Sequence, residues 1–358
     1  MTTFGRNFLP GPTDVHPEVL EAMATPMVAH RGTRMRQLLA GMQPALRELF
    51  GTTQPVLLST SSATGLLEAA VRSGVRERLL VAAGGYFGEY FARIAEQCGK
   101  QVIRVQVHPG TSVTAEQLER FLEGPPVDAV AVVHSESSTG ALADVESLAR
   151  VVRARKDILF LVDGVTAVAA MPFEMDRWGV DFVCTGSQKA LAMPPGLGLG
   201  AASQRFLERA AGRRDAGYYF SVQRLARMAN ENLPIWTPAV SLIVTLERQL
   251  GRILRSGGWP ARYARHRTML ETLERWIAAH PALRLLAEPG QRSPAISAVV
   301  VPAELPAADV VAEAERRGFL IGGGLNPRYG NVFRIGHMGD LEPAHLVALL
   351  AQLEEVLP

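Results

Sequence analysis

The sequence predicts an α/β fold, a mostly parallel central sheet followed by a smaller α+β unit. Three observations predict it. Short, continuous apolar runs alternate with amphipathic stretches over the first two thirds of the chain, and the pattern changes after about residue 237. At 358 residues the chain is also too long for one small core. Continuous apolar runs of this length fit strands covered on both faces, the usual condition of a parallel sheet.

A Pro/Gly-rich segment, Leu9-Pro10-Gly11-Pro12-Thr13, comes first. Residues 55–60 then read as a strand and 64–72 as a helix, 78–83 as a strand and 89–98 as a helix. The alternation continues with a strand at 101–107, a helix at 114–122, a strand at 127–133 and a helix at 145–155. Residues 158–162 and 180–185 are further buried strands. Two long helical stretches follow at 238–255 and 259–280. Beyond them, strands at 295–301, 320–322 and 332–335 and helices at 307–317 and 343–356 suggest a compact β-β-α-β-β-α ending. The implied division is an N-terminal arm (1–17), a large domain (18–250) and a small C-terminal domain (251–358). No internal repeat or low-complexity segment interrupts it.

Composition narrows the function. Hydrophobic residues make up 47% and charged residues 20%, with a formal charge of +2, so neither nucleic acid nor an anionic membrane is the expected partner. The first residues lack the apolar stretch of a signal peptide, and no apolar run approaches the ~20 residues that span a bilayer. Cys98 and Cys184 form no disulfide framework or metal spacing, and the histidines include no His-x-x-x-His pair. A cytoplasmic protein without a structural metal is the expectation. Only three lysines, Lys100, Lys156 and Lys189, occur among 37 basic residues, so a lysine in a buried context is there for more than charge.

Two strand ends carry the chemical argument. The run Ile158-Leu159-Phe160-Leu161-Val162 stops at Asp163; the run from Val180 to Cys184 leads through Thr185-Gly186-Ser187-Gln188 to Lys189. In an open parallel sheet ligands sit outside the carboxyl ends of the strands, so an acid and an amine are placed at one edge. Taken alone, Asp163 reads as a turn or helix cap and a lysine as a solvated surface group. Lys189, however, lies between a buried strand and a tight Pro194-Pro195-Gly196 turn. An amine forms a Schiff base with an aldehyde, and a carboxylate against a pyridine nitrogen keeps it protonated and the ring electron-accepting. The pair is what a pyridoxal 5'-phosphate site requires. Ser59-Thr60-Ser61-Ser62-Ala63-Thr64-Gly65 joins a strand to a helix and suits a phosphate, though alone it is equally an ordinary cap. Phe87 follows another strand and reads either as a ring-stacking aromatic or as core. The run Gly196-Leu197-Gly198-Leu199-Gly200 enters a strand rather than opening a helix, so it is not a dinucleotide motif.

Together these segments resemble the class V aminotransferases of PLP fold type I, specifically the alanine–glyoxylate/serine–pyruvate group. The most specific pieces are Glu136-Ser137-Ser138-Thr139-Gly140 and Gly186-Ser187-Gln188-Lys189-Ala190-Leu191, and the likeness runs on to Phe333-Arg334-Ile335-Gly336-His337-Met338-Gly339. The resemblance implies that Lys189 carries the cofactor and Asp163 partners its pyridine nitrogen. It implies phosphate contacts from Ser62, Ala63, Thr64 and Gln188. Ser137 would stand near the ring hydroxyl, with Phe87 and Val165 on the two ring faces. Arg334 would clamp the substrate carboxylate, a role suited to a planar fork. A homodimer with shared sites is implied, with Thr237 reaching the partner's phosphate. Leu233 and Pro234 stand near where some members have tyrosine, and Phe87 where some have tryptophan.

The implied activity moves an amino group from alanine or serine to glyoxylate or pyruvate by a ping-pong course in which freed Lys189 carries the proton. Arg31 and Arg328 are candidates for a second carboxylate site, which would admit dicarboxylates. Two alternatives stand beside this reading, a class V lyase or desulfurase and a non-catalytic binding protein of the same fold. The first needs a mobile cysteine, which neither Cys98 in a helix nor Cys184 in a strand supplies.

Overall fold

The computed structural model describes residues 3–213, 216–325 and 329–357. In chain order its strands are β1 (Asn7–Phe8), β2 (Leu57–Ser59), β3 (Arg78–Ala83), β4 (Gln101–Gln106), β5 (Ala129–Val133), β6 (Ser135–Glu136), β7 (Ala141–Leu142), β8 (Leu159–Asp163), β9 (Phe182–Gly186), β10 (Gly198–Ala202), β11 (Arg284–Leu285), β12 (Ile296–Val300), β13 (Leu320–Gly323) and β14 (Val332–Gly336). Seven form one sheet, ordered β2-β10-β9-β8-β5-β3-β4. Strands β9, β8, β5, β3 and β4 run parallel, while β10 is antiparallel to β9 and β2. The cause lies in the connection from β9 to β10. Parallel return needs a crossover, usually a helix, and residues 187–197 contain none.

Both faces of this sheet are buried, as its unbroken apolar runs require. Leu80, Val130, Val132, Phe160, Val162 and Val183 face a core shared with helices Thr33–Phe50, Val145–Arg153 and Val240–Arg255. The alternate residues Leu79, Val81, Leu159, Leu161 and Phe182 face helices Ala63–Gly74, Gln204–Ala210 and Val222–Asn230. A second, five-stranded sheet follows the order β1-β13-β14-β12-β11 and shares a separate core with helices Gly258–Ala278, Ala307–Arg316 and Pro343–Glu354. Residues 7 and 8 thus belong to a sheet built otherwise from the end of the chain, with Asn7 paired to Leu320. The segment after them must pass between the two sheets.

Several elements differ from the sequence reading. Helix Tyr86–Gln97 begins three residues before the expected residue 89, which puts Phe87 in its first turn. The strand expected at 55–60 is confined to Leu57–Ser59 and the one at 180–185 runs Phe182–Gly186. Helices Pro17–Ala22, Thr33–Phe50, Gln204–Ala210 and Val222–Asn230 were not anticipated. Among the described residues no helix is long and apolar enough to cross a membrane.

Candidate active site

Strand β8 ends on Asp163, whose register partner on β9 is Cys184. The chain leaves β9 into a tight loop. Lys189 N–H donates to Gly186 O at 3.3 Å, and Ala192 N–H donates back to Lys189 O at 2.8 Å. Ser187 ties the loop across its neck, its Oγ donating to Pro194 O at 2.8 Å and accepting from Leu197 N–H at 3.2 Å. The loop thereby turns Lys189 over the sheet edge beside Asp163.

The arm forms the other wall. Lys189 Nζ donates to the Pro10 carbonyl. A Cβ on Gly11 would stand 2.7 Å from that amine at a φ of +120°, so only glycine lets the backbone cross here. Thr13 anchors the crossing by its N–H to Gln188 O at 3.0 Å and its Oγ1 to Lys189 O at 3.0 Å.

Lys189 and Asp163 line one cavity of about 250 Å³ together with Ser62, Ala63, Thr64, Phe87, Ser137, Val165 and Gln188. Ser62 sits at the N-cap of helix Ala63–Gly74 without making a side-chain cap bond. Its hydroxyl is therefore uncommitted to the helix, and of the first-turn amides only Gly65 N–H turns back, to Ser62 O at 3.0 Å. Gln188 Oε1 is buried without a protein partner. Val165 N–H donates to Asp163 Oδ1 at 2.9 Å, and Val165 O is held by Thr185 Oγ1 at 3.0 Å.

Two expected residues are not in the lining. Arg334, on β14 of the second sheet, stands behind Ser137, donating Nη1 to Ser137 O at 3.2 Å and Nε to Gly323 O at 2.7 Å. Thr237 is exposed, just before Ala239, whose N–H donates to Thr60 Oγ1 at 3.0 Å. Arg31 is also exposed, and Arg328 lies outside the described residues.

Three buried charged groups, Asp163, Glu136 and Arg334, and the part-buried Lys189 set the electrostatics. Burial lowers Lys189 to about 8, helped by the Arg334 charge and opposed by Asp163 and Glu136. Burial raises Asp163 to about 6, against the Val165 hydrogen bond, with Glu136 adding to the rise and Lys189 countering it. Arg334 falls to about 10 through burial, opposed by Glu136. Burial also raises Glu136, although it accepts from Phe87 N–H at 3.0 Å, Gly88 N–H at 3.1 Å and both Ser138 donors.

That carboxylate had no assigned role in the sequence, since its partners lie 49 residues away in helix Tyr86–Gln97. It supplies the N-terminal acceptor that lets the helix begin early enough to carry Phe87. Tyr90 also lines the cavity and was missed, although it follows Phe87 by one helical turn. Ser135, Thr166 and the Pro10 carbonyl had no sequence signal.

The chain is similar to known proteins over nearly its whole length. The family model of class-V aminotransferases matches residues 8–326. The L-aspartate–glyoxylate aminotransferase of Paracoccus denitrificans is 31% identical over 365 residues, covering 100% of this chain and 92% of that protein. A protein named soluble hydrogenase, small subunit, from a Synechococcus species is 30% identical, covering 98% of this chain and 92% of that one. The solved alanine–glyoxylate aminotransferase from Nostoc superposes with a TM-score of 0.92 at 28% identity, over 99% of this chain and 96% of that chain.

Proposed function

The chain belongs to the class-V aminotransferases, and from that premise we propose that it transfers an amino group from alanine or serine to glyoxylate or pyruvate. Its cofactor is pyridoxal 5'-phosphate. The residues fit that group. Gln188 is a side-chain amide whose Oε1 has no protein partner and whose Nε2 can donate to a phosphate, the Ala63 and Thr64 amides at the start of helix Ala63–Gly74 are donors for the same group, and Asp163 is a buried carboxyl with only Oδ1 satisfied by Val165. When bound, the cofactor supplies a carbonyl carbon that accepts amines and a ring that accepts electrons.

The chain's own groups do the rest. Lys189 would carry the cofactor, and its amine would take and return the substrate proton. A lysine brought down to about 8 is about a tenth neutral at pH 7, far more than an ordinary lysine, which favours its use as a base. Asp163 holds a proton on the pyridine nitrogen. Ser62, Ala63, Thr64 and Gln188 would bind the phosphate, Ser137 would stand near the ring hydroxyl, and Phe87 and Val165 would enclose the two ring faces. Arg334 is held rigid through Nε and Nη1, which leaves the rest of its fork for a substrate carboxylate. Expelling water from so small a cavity strengthens each of these interactions.

The observation that carries the reading is the buried amine of Lys189 sharing one cavity with Asp163 and an uncapped helix N-terminus. Purified protein is expected to absorb in the near-visible, with the band moving on addition of alanine or serine. Lys189→Ala is expected to abolish turnover; near-normal transamination by that variant refutes the assignment. The name of the Paracoccus relative favours a dicarboxylate donor as the second reading, with Arg31 and Arg328 as its candidate cations. A panel of donors against each acceptor decides between the two. A cysteine lyase gains no support, because Cys184 is buried in β9 and Cys98 caps a helix end, and burial raises both thiols.

A homodimer completes the proposal. Thr237 lies outside its own cavity, as a residue serving a partner's phosphate would, and residence in the cytoplasm is the matching expectation.

A further inference from the structure

The four carbonyls from Gln188 to Leu191 are each held by a side chain from elsewhere in the chain. Thr13 takes Gln188 O and Lys189 O. Arg262, in helix Gly258–Ala278, donates Nε at 3.0 Å and Nη2 at 2.5 Å to Ala190 O. Gln249, in helix Val240–Arg255, donates to Leu191 O at 2.7 Å. Both of the latter converge on Asp340, which accepts from Arg262 Nη1 at 2.7 Å and from Gln249 at 3.0 Å, with Arg252 Nη1 at 2.8 Å.

Asp340 is fully buried and charged. Burial works against ionisation, but the charges of Arg262 and Arg252 and two hydrogen bonds outweigh it and hold the carboxyl below the ordinary aspartate value. A buried, bidentate arginine on a single backbone carbonyl is a costly arrangement unless its geometry matters. Here the geometry concerns Lys189. Asp340 also follows Arg334 on the segment that leaves β14, so one short stretch of chain holds the carboxylate-binding arginine at one end and the lysine loop at the other.

We propose that Arg262, Gln249 and Asp340 form a positioning cluster that fixes the backbone of Lys189 relative to Arg334. None of the three lines the cavity. Their work is indirect: with the carbonyls on both sides of Lys189 held, only its side-chain torsions change when the amine moves between the cofactor and the substrate proton. The cluster therefore sets how closely the amine approaches the Cα–H bond that Arg334 orients, and bears on proton transfer more than on substrate binding. The inference rests on Lys189 being the cofactor-bearing amine.

The test is Arg262→Lys in the holoenzyme, which keeps the charge against Asp340 but loses the two-pronged hold on Ala190 O. kcat is expected to fall roughly 10- to 100-fold, the scale of a misplacement near 1 Å, while KM for the amino donor stays within about twofold. The isotope effect on kcat with an α-deuterated donor is expected to rise as proton transfer becomes limiting. A purely structural role would lower Tm and leave the folded enzyme's kcat and isotope effect at the wild-type values, and that result overturns the proposal. If Arg262→Lys does not fold, Gln249→Met carries the same test, with about a threefold loss in kcat, and an unchanged kcat and isotope effect there overturns it as well. A wild-type protein whose absorption ignores amino donors overturns the functional reading and the proposal with it; a responsive wild type with an unaltered variant overturns the positioning role alone.

Discussion

Asp163, proposed above to face the pyridine nitrogen, sits in the fold at a cost. Its carboxyl rises from 3.8 to about 6 through burial, so the folded protein without cofactor binds a proton more tightly than the unfolded chain does. The sign follows directly. Below pH 4 both states are protonated and nothing is lost; between about pH 4 and 6 the folded state is progressively penalised; above that the full penalty, about 3 kcal/mol, persists. Asp163→Asn keeps an acceptor for Val165 N–H and removes the charge. In urea denaturation of cofactor-free protein it is expected to match wild type near pH 4 and to exceed it by up to about 3 kcal/mol at pH 7.5. A gap that does not change with pH would count against burial as its cause. On the proposed assignment cofactor binding reverses the order, because a protonated pyridine nitrogen beside Asp163 would relieve the penalty. Of the residue-scale features, Lys189 and Asp163 were legible because a strand end can be seen in sequence. Glu136 was not, because two of its donors, Phe87 N–H and Gly88 N–H, reach it only across the fold.

Two helices carry the lesson at the next scale. Helix Tyr86–Gln97 has Gly85 at its N-cap, with a φ of −178° that any residue could adopt. Space, not backbone conformation, demands glycine there, since a Cβ would lie 2.4 Å from Glu136 Cγ. Gly85→Ala is expected to cost about 1–3 kcal/mol by overpacking and to weaken cofactor binding by displacing Phe87. Titration of apoprotein with pyridoxal phosphate alongside thermal melting checks both, and an unaltered affinity would separate Glu136 from the placement of Phe87. Helix Thr33–Phe50 went unread because Gly41 and Pro44 interrupt its propensity, Pro44 lacking the amide a helix interior uses. Its buried positions Met35, Leu38, Leu39, Met42, Leu46 and Leu49 nevertheless keep helical spacing. Gln43 reinforces it by exchanging two hydrogen bonds with the backbone of Val56, at 3.0 and 2.9 Å. Tertiary burial overrides local preference here.

At the scale of the whole molecule the site is an assembly of distant parts. Arg334 reaches Ser137 across 197 residues, and the arm reaches Lys189 across 179. The proposed dimer adds a partner's Thr237. Lys189→Ala and Thr237→Ala, each inactive or impaired alone, are expected to recover about a quarter of wild-type activity when unfolded together and refolded, because each mixed dimer holds one intact site. Mixed samples no more active than the separate variants would place Thr237 within its own subunit's site or outside any. The sequence by itself determined the α/β class, the two strand ends and the kinship, because burial on both faces of a sheet and the order of motifs are written along the chain. Only the tertiary structure decided which carboxylate caps the Phe87 helix, where Arg334 stands, and what grips the lysine loop. Those contacts join residues with no periodic relation, and the chain specifies them only through the packing of its cores.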